Sequence, residues 1–245
     1  MTPNSSKMSC LNCRLSDLCL PFGLQITEIE ALEIIIKNKQ PLQIKDVLYS
    51  KNQTCKSLYA VKTGSFRSYI SNAEGLEQTI GFYLPGELMG LDALFEGRFC
   101  SSVDALETSS VCELPLTHLT ELCLQIPNLQ HQMTRNFSKE ITANHEQMLL
   151  LGQSSAKIKV AIFLLMLSKR YGALGYSKSE FNLSMHRHHI ANYLGISHET
   201  ISRQLTALSK EKIIQVKRRA IKIIELNLLK AIIEPCNTDF YAHSH

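Results

Sequence analysis

Three cysteines lie close together near the N-terminus, in the run Cys10-Leu-Asn-Cys13-Arg-Leu-Ser-Asp-Leu-Cys19. Two thiolates three residues apart can bind one metal centre, and a third can join them if the chain loops back. A closed tetrahedral or cubane site needs a fourth ligand from elsewhere in the fold. The candidates are the remaining cysteines, namely Cys55, Cys100, Cys112, Cys123 and Cys236.

The alternative interpretation of these cysteines is that they are small apolar core residues, which is usual for an isolated cysteine. Three within ten residues favour metal binding instead, although the spacing does not distinguish zinc from an iron–sulfur cluster. The segment has few bulky residues, so we expect a bound metal centre to order it. Residues 1–13 lack the apolar core of a signal peptide, and no run of eighteen apolar residues exists. We therefore expect a cytoplasmic protein that does not span a membrane. Disulfides are not expected, because the cytoplasm keeps thiols reduced.

A second group of polar side chains lies in residues 187–209, RHHIANYLGISHETISRQLTALS. Apolar residues recur at helical spacing on both sides of Gly195. Glycine can end a first helix in the left-handed conformation, and Ser197 can cap a second one. This pattern predicts a helix-turn-helix. The polar face of its second helix carries five side chains: His198, Glu199, Ser202, Arg203 and Thr206.

Such a face suits the major groove of DNA, because arginine bonds guanine bidentately, glutamate accepts from cytosine, and serine meets phosphates or base edges. An ordinary amphipathic hairpin in a core is the alternative. Two β-prone runs, residues 213–216 and 221–224, follow and flank the basic residues Lys217, Arg218 and Arg219. They predict a two-stranded wing with a basic tip.

The charge distribution favours the DNA-binding alternative. The 245 residues carry a net charge of +4. Residues 169–222 contain eleven Lys or Arg against three Glu, a net +8, which leaves about −4 for the remainder. A concentrated basic segment is typical of phosphate binding. The composition, 44% hydrophobic and 20% charged, is that of a soluble globular protein, and the length suits two domains.

Regular elements must position these groups. Residues 27–38 predict a short helix capped by Thr27 and ended by Pro41. Residues 42–116 alternate short β-prone runs with glycine-rich turns, which predicts an antiparallel barrel or roll. Residues 127–151 and 157–170 predict two further helices. Residues 1–9 and the last ten residues are expected to be loose.

The helix predicted over residues 127–151 has a narrow apolar seam at nearly heptad spacing. A seam of this kind favours a two-helix coiled coil between subunits. The alternative is a long helix that packs on its own β domain. The seam residues are Leu129, Met133, Phe137, Ile141, Asn144, Met148 and Leu151.

With these parts in order, the chain resembles the CRP/FNR family of bacterial transcription factors (cyclic-AMP receptor, fumarate and nitrate reductase regulator), and within it the FNR branch. The resemblance runs from residue 10 to residue 224. It is carried by Leu-Cys-Leu-Pro-Phe (18–22), Ser-Leu-Tyr-Ala-Val (57–61), Ala-Leu-Glu-Thr-Ser (105–109), Val-Cys-Glu-Leu-Pro (111–115), Asn-Tyr-Leu-Gly (192–195) and Glu-Thr-Ile-Ser-Arg (199–203).

The resemblance implies an α+β fold with an N-terminal antiparallel β-roll like the cyclic-nucleotide-binding jelly roll, a long dimerisation helix and a C-terminal winged helix-turn-helix. The implied domains are residues 1–22 (a cysteine-rich arm), 23–126 (the β-roll), 127–153 (the dimerisation helix) and 154–245 (the winged helix-turn-helix).

The family's cofactor is implied in the same way. In the FNR branch an oxygen-labile 4Fe–4S cluster is held by three N-terminal cysteines and one in the roll, which here correspond to Cys10, Cys13, Cys19 and Cys112. The resemblance makes Cys55, Cys100, Cys123 and Cys236 packing residues.

The resemblance also implies how DNA is read. Glu199, Ser202 and Arg203 would read TTGAT-like half-sites that face a homodimer. The resemblance implies that the protein is an oxygen sensor and not an enzyme. Such a regulator activates or represses promoters together with RNA polymerase. We assign the polymerase contact to residues 95–99.

Two departures within the family pattern matter. Gly86-Glu87-Leu88 matches the cyclic-nucleotide turn, but the adjacent Arg-Ser pair that would hold the phosphate is absent, since Arg98 and Ser101 are separated. No cyclic nucleotide is expected, and Glu87 is interpreted as a structural turn residue. In the FNR pattern one seam position tends to be acidic, and here it is Asn144. Because a neutral amide does not repel its counterpart across the seam, the cluster-free protein should dimerise more readily than an FNR with Asp at this site.

Other interpretations remain. A regulator with this fold could respond to a different small molecule. An iron–sulfur redox enzyme is disfavoured, because we find no nucleotide loop and no paired acid and base. The histidines His186, His188 and His189 are interpreted as solvated polar residues rather than as metal ligands.

Overall fold

A computed structural model describes residues 10–233 of the chain. These residues divide into two compact units, residues 10–66 with 82–139 and residues 67–81 with 140–233. The termini predicted to be loose, and Cys236 with them, lie outside the described residues. Within residues 10–233, no helix combines the length and the apolar character needed to cross a membrane.

The N-terminal half of the chain is built on short strands, as the spacing of turns predicted. These are β1 (Lys37–Asn38), β2 (Val47–Tyr49), β3 (Ser57–Thr63), β4 (Phe66–Ser71), β5 (Glu77–Tyr83), β6 (Leu88–Met89), β7 (Ser102–Ala105) and β8 (Ser110–Pro115). They form two four-stranded sheets with the orders β1-β8-β3-β6 and β2-β7-β4-β5. Strand β3 pairs antiparallel with both β8 and β6, so that Ala60 lies opposite Cys112 on one side and Leu88 on the other.

The first unit has one hydrophobic core, which we call the roll core. It contains side chains of the arm, the strands and the helices together, including Leu20, Leu32, Leu58, Val61, Phe66, Val103, Leu114, Leu129 and Met133. Burial of these apolar side chains is the main stabilising contribution to the unit. The roll core therefore joins the cysteine arm to the long helix as well as to the sheets.

Helix α1 (Ile26–Ile35) is shorter than the predicted 27–38, and its cap differs. The N-cap is Gln25, not Thr27, and the Gln25 backbone N–H donates to Glu28 Oε2 at 2.7 Å. The helix ends before Pro41 because residues 37–38 pair with Glu113 and Cys112 as strand β1. Sheet pairing, a tertiary contact, outweighs the local helical pattern there.

Two helices follow the roll. Helix α2 (Leu116–Gln125) was not predicted, because its ten residues lie between a strand and Pro127 and show no clear start signal. Helix α3 (Pro127–Gly152) has 26 residues and confirms the predicted long helix, extended by one residue to include Gly152. Residues 127–139 of α3 belong to the first unit and residues 140–152 to the second.

The C-terminal part of the second unit is the predicted winged helix-turn-helix. Its elements are α4 (Ala156–Ala173), β9 (Glu180–Asn182), α5 (Arg187–Leu194), α6 (His198–Lys210), β10 (Ile214–Lys217), β11 (Ala220–Ile223) and α7 (Leu226–Ala231). The wing sheet has the order β10-β11-β9, so β9 is a third strand that sequence reasoning missed. Strands β10 and β11 are joined by the two residues Arg218 and Arg219, and Arg218 has a φ of 55°.

Candidate cluster site and nucleic-acid interface

The cysteine arm is a succession of tight turns. Cys10 begins a short 3-10 turn, Cys10–Asn12, and the backbone N–H of Cys13 donates to the carbonyl of Cys10 at 3.2 Å. The N–H of Cys19 donates to the carbonyl of Leu15 at 2.9 Å. Local turns of this kind bend the arm back on itself, so cysteines distant in an extended chain come together.

Apolar contacts anchor the arm to the roll. Leu20 is 1% exposed and lies in the roll core. A Cβ built on Gly86 would lie 3.0 Å from the Leu18 Cβ, so the arm packs directly on this turn. At its other end, the Leu11 N–H donates to Glu33 Oε1 of α1 at 3.2 Å. Leu18 and Leu20 therefore supply an apolar anchor for the arm, beside the ordering that we expect from a bound metal centre.

The fourth candidate ligand approaches from the sheet. Cys112 lies in β8, between β1 and β3, and packs against the roll core as Cys19 does. All seven described cysteines are free thiols. Cys10, Cys13, Cys19 and Cys112 are all half-buried.

Cys10, Cys19 and Cys112 each have a raised pKa to which at least one other thiol of this group contributes. Burial and, to a smaller extent, nearby Cys112, Glu33 and Cys13 together raise the pKa of Cys10 to about 12, against a lowering by Lys62. Burial also raises the pKa of Cys19 to about 12, with added contributions from the other three thiols. The pKa of Cys112 is raised by burial and lowered by the Lys62 ammonium, with Cys13 opposing it. Lys62, which sequence reasoning missed, is a cation that interacts with Cys10 and Cys112.

The four thiols form a soft donor set, of the kind that both iron–sulfur clusters and structural zinc sites use. Among residues 10–233, no group of three or more His, Cys, Asp or Glu converges closely enough to hold one metal ion. Four thiols without a carboxylate or histidine form the ligand set that iron–sulfur clusters use.

The other described cysteines differ from this group. Cys55 is buried, and its Sγ donates to the carbonyl of Ser57 at 3.6 Å. Cys123 packs against the roll core from α2. Cys100 is exposed, so its interpretation as a packing residue is wrong: it lies in the loop after Phe99, outside the core.

The helix-turn-helix has the predicted turn. Gly195 adopts φ 61° and ψ 41°, and its N–H donates to the carbonyls of Ala191 and Asn192. The hydroxyl of Ser197 then accepts from the Thr200 N–H at 3.1 Å and caps α6. Both roles follow from residue type, because glycine tolerates a positive φ and serine is a good N-cap.

The polar face of α6 is open to solvent. His198, Glu199, Arg203 and Thr206 are exposed, and Ser202 is half-buried. Hydrogen bonds from its own backbone N–H and from Ser197 lower the pKa of Glu199. The Arg203 guanidinium has only a 3.5 Å contact with Thr200 Oγ1, so it can reach a ligand without breaking an ion pair.

Arg187 is a residue that sequence reasoning did not assign. From the first turn of α5 its Nη1 donates to Ser202 Oγ at 3.3 Å and so holds one recognition side chain. Its only sequence signal was its place in the basic segment.

The wing tip is basic and exposed. Lys217, Arg218 and Arg219 are all exposed, as predicted for phosphate contacts. Arg219 Nη2 lies 3.0 Å from His186 Nε2. The expectation that the three histidines are simply solvated needs correction, because their rings pack together, with 3.9 Å between the centroids of His188 and His189.

The seam of α3 divides into two parts. Leu129 and Met133 are buried in the roll core, Met133 at 5% exposure, and Phe137 packs against it. The assignment of Met133 and Phe137 to a subunit interface therefore needs correction, because both side chains pack on their own β domain.

The C-terminal half of the seam is exposed on the single chain. Its residues keep the heptad spacing, and Met148 reaches 69% exposure. They are Ile141, Asn144, Met148 and Leu151.

In the turn that resembles a cyclic-nucleotide site, the polar side chains form hydrogen bonds to backbone groups of the same chain. Glu87 Oε2 accepts from the Leu84 N–H at 2.9 Å, which agrees with a structural role. Arg98 Nη1 donates to the carbonyl of Asn52 at 2.9 Å.

Comparison with known proteins defines the class of protein. Residues 158–232 match the Crp-like helix-turn-helix domain, and residues 39–125 match the cyclic nucleotide-binding domain. Together with the fold, these matches describe a transcription regulator that binds DNA through its helix-turn-helix, and members of this class typically act as dimers. The prediction that the chain is not an enzyme is confirmed.

Full-length relatives narrow the class. The chain is 42% identical over 214 residues to the fumarate and nitrate reduction regulatory protein of Escherichia coli K12, covering 87% of this chain and 86% of the relative. It is 41% identical over 218 residues to the anaerobic regulatory protein of Haemophilus influenzae, covering 89% and 85%. The chain therefore belongs to the CRP/FNR family, in its FNR branch.

A solved structure supports the same fold. FixK2 from Bradyrhizobium japonicum superposes with a TM-score of 0.73 at 25% identity, and the match covers 81% of this chain and 97% of FixK2. The predicted fold class is confirmed.

Proposed function

We propose that this protein is an oxygen-responsive cytoplasmic transcription regulator that binds a 4Fe–4S cluster through Cys10, Cys13, Cys19 and Cys112. As a homodimer it would bind palindromic promoter sites made of TTGAT-like half-sites when oxygen is absent. The proposal is supported by two observations: Cys19 of the arm and Cys112 of β8 pack against the same roll core, and thiols of this group, but no other described cysteine, contribute to the raised pKa values of Cys10, Cys19 and Cys112. The names of the relatives, which refer to anaerobic and nitrate-linked regulation, support it.

The chemistry supplied by the bound cluster is an oxygen-labile centre whose iron ions offset the charge of four thiolates. The protein's part is to hold those thiolates half-buried, with Lys62 as the neighbouring cation. Cys112 provides a ligand from the sheet and the other three come from the arm, so ligation would tie the arm to the roll.

The roll core supplies a path from the thiols to α3. Cys19 and Cys112 pack against the same core as Leu129 and Met133 of the long helix. Arg135 of α3 also lies over the ring of Phe22 in the arm, 4.3 Å from its centroid. A change in arm packing therefore alters the surroundings of α3 and shifts the population of pairing-competent molecules.

The dimer would form through the exposed half of α3. Ile141, Met148 and Leu151 offer apolar side chains at heptad spacing, with Asn144 among them. An amide at such a position can fix the register of paired helices at a cost in stability.

Replacing Asn144 with aspartate should weaken dimerisation of the cluster-free protein. Two like charges would then face each other across the seam, which should cost about 1 kcal/mol and raise the dissociation constant roughly fivefold. Sedimentation velocity of the cluster-free protein would measure the dissociation constant of the dimer. Asn144→Gln, which keeps a neutral amide, is the matched control, and equal constants for Asn144→Asp and wild type would rule out the seam assignment.

Two partner assignments form part of the proposal. RNA polymerase would contact residues 95–99 through Phe95, whose side chain is 94% exposed. Phe99 is excluded from that surface because it is buried and stacks on Tyr49. No cyclic nucleotide is expected, since Arg98 donates to Asn52 and no Arg-Ser pair adjoins the Gly86 turn.

Anaerobic purification followed by air exposure tests the proposal as a whole. We expect iron and acid-labile sulfide in equal amounts, close to four of each per chain. We also expect visible absorption that bleaches in air, together with a loss of affinity for a duplex carrying two TTGAT half-sites. A colourless, iron-free protein would point instead to a regulator of the same fold controlled by another small molecule. Affinity that is indifferent to air would refute the oxygen switch.

A further inference from the structure

The C-terminal end of helix α5 is bound by three different elements. In its last turn, the carbonyls of Asn192, Tyr193 and Leu194 each accept a hydrogen bond from a side chain. The three donors come from the hairpin β4–β5, from α3 and from α4. All of these residues belong to the second unit. We call this group of contacts the α5 junction.

The first donor is the hairpin. Gln78 Nε2 donates to the Asn192 carbonyl at 2.7 Å. The Asn192 side chain both donates to and accepts from the same hairpin: its Nδ2 donates to the Glu77 carbonyl at 2.7 Å, and its Oδ1 accepts from the Thr79 N–H. An amide bonded at both ends is held in one orientation.

The second donor is the long helix. Gln147 Nε2 donates to the Tyr193 carbonyl at 2.8 Å. The Oε1 atom of the same amide is buried and has no hydrogen-bond partner among the described residues. An unpaired buried acceptor is unfavourable, so an apolar side chain would serve stability better. The contact is therefore better explained by the orientation it imposes on α5.

The third donor is a buried lysine. Lys159 of α4 is 7% exposed, and its Nζ donates at 3.1 Å to Leu194 at the end of α5 and at 3.1 Å to Leu151 near the end of α3. No carboxylate of the described residues forms an ion pair with it. Its charge is balanced by carbonyls at the negative ends of two helices. One cation thus ties the end of α3 to the end of α5.

We propose that the α5 junction sets the orientation of the DNA-binding helices, and that Lys159 and Gln147 are positioning residues through which α3 acts on α6. Helix α5 ends in the turn that leads directly into α6, so a tilt of α5 moves Glu199 and Arg203 with it. Without the donors, α5 samples several orientations, and the apparent affinity for DNA falls in proportion to the competent fraction. The proposal uses the family's DNA-binding role and is independent of the cofactor.

The test uses the full-length protein, purified anaerobically, and a duplex carrying two TTGAT half-sites. Lys159→Met should weaken binding about tenfold, and Gln147→Leu should act in the same direction. Lys159→Arg, which can still donate to both carbonyls, should restore affinity to within about twofold. In the free protein, hydrogen exchange of the backbone amides of α5 and α6 should accelerate in the first two variants.

The matched control is Val160→Ala, which removes buried apolar volume from the neighbouring position of α4. It should lower Tm without changing affinity at a temperature well below Tm. The proposal is overturned if Lys159→Met loses no more affinity than Val160→Ala, or if arginine fails to restore it. If Lys159→Met does not fold, Gln147→Leu takes its place, and the proposal is overturned if Gln147→Leu loses no more affinity than Val160→Ala. If wild type does not bind this duplex, the half-site assignment fails, and the exchange rates alone decide the inference.

Discussion

Replacing Cys112 with serine should abolish binding of iron and sulfide by the anaerobically purified protein. Cys112 is the proposed ligand from the sheet, whereas the other three proposed ligands come from one short arm. A serine hydroxyl stays protonated at neutral pH and is a poor ligand for iron beside three thiolates. Three arm thiols alone should not retain a cube of iron and sulfide. Chemical iron and sulfide determination, with the visible absorption spectrum, would measure the loss.

The matched control is Cys123→Ser. Cys123 is also half-buried and also packs against the roll core, but it does not influence the ionisation of the four thiols. This variant should retain iron like wild type. Far-ultraviolet circular dichroism would establish that both variants keep their secondary structure. If Cys112→Ser retained its iron, the ligand set would be wrong, while the DNA-binding fold would be unaffected.

Replacing Arg203 with alanine should remove about 1 to 3 kcal/mol of discrimination between the TTGAT half-site and a variant substituted at its guanine. The guanidinium is exposed on α6, and among residues 10–233 its side chain makes only the weak 3.5 Å contact with Thr200 Oγ1. It can therefore form two hydrogen bonds to guanine without losing a partner inside the protein. Fluorescence anisotropy with matched and substituted duplexes would give the two dissociation constants and their ratio.

A wing variant separates base reading from phosphate binding. Arg218→Ala removes an exposed charge at the turn between β10 and β11. It should weaken binding to both duplexes equally and lower the salt slope by about one, because a phosphate contact releases counterions without reading sequence. An unchanged preference among half-sites after Arg203→Ala would remove Arg203 from base recognition.

Local sequence patterns predicted the features that depend on neighbours along the chain. The turn at Gly195 and the cap at Ser197 are set by residue type, because a positive φ and an N-cap each favour a few side chains. The 26-residue length of α3 followed from an uninterrupted helical pattern. Where local signals were weak or competed with pairing, as in α2 and at residues 37–38, prediction failed.

The site itself was only half determined by sequence. The spacing of Cys10, Cys13 and Cys19 indicated a metal centre, because residues close in sequence stay close in space in any fold. The fourth ligand was not determined by spacing, and only resemblance to a family selected Cys112. The antiparallel pairing of β8 with β1 and β3 fixes the place of Cys112 in the sheet, and Cys13 of the arm contributes to its raised pKa.

The tertiary structure alone decided which surfaces are free and which elements are tied together. Met133 and Met148 both follow the heptad spacing, yet Met133 is buried because the first half of α3 packs into the roll core, whereas Met148 is exposed. The α5 junction had no sequence signal. Its donors Gln78, Gln147 and Lys159 lie 35 to 114 residues from their acceptors and meet only after folding. Periodicity reports which face of a helix is apolar, whereas packing determines what covers that face.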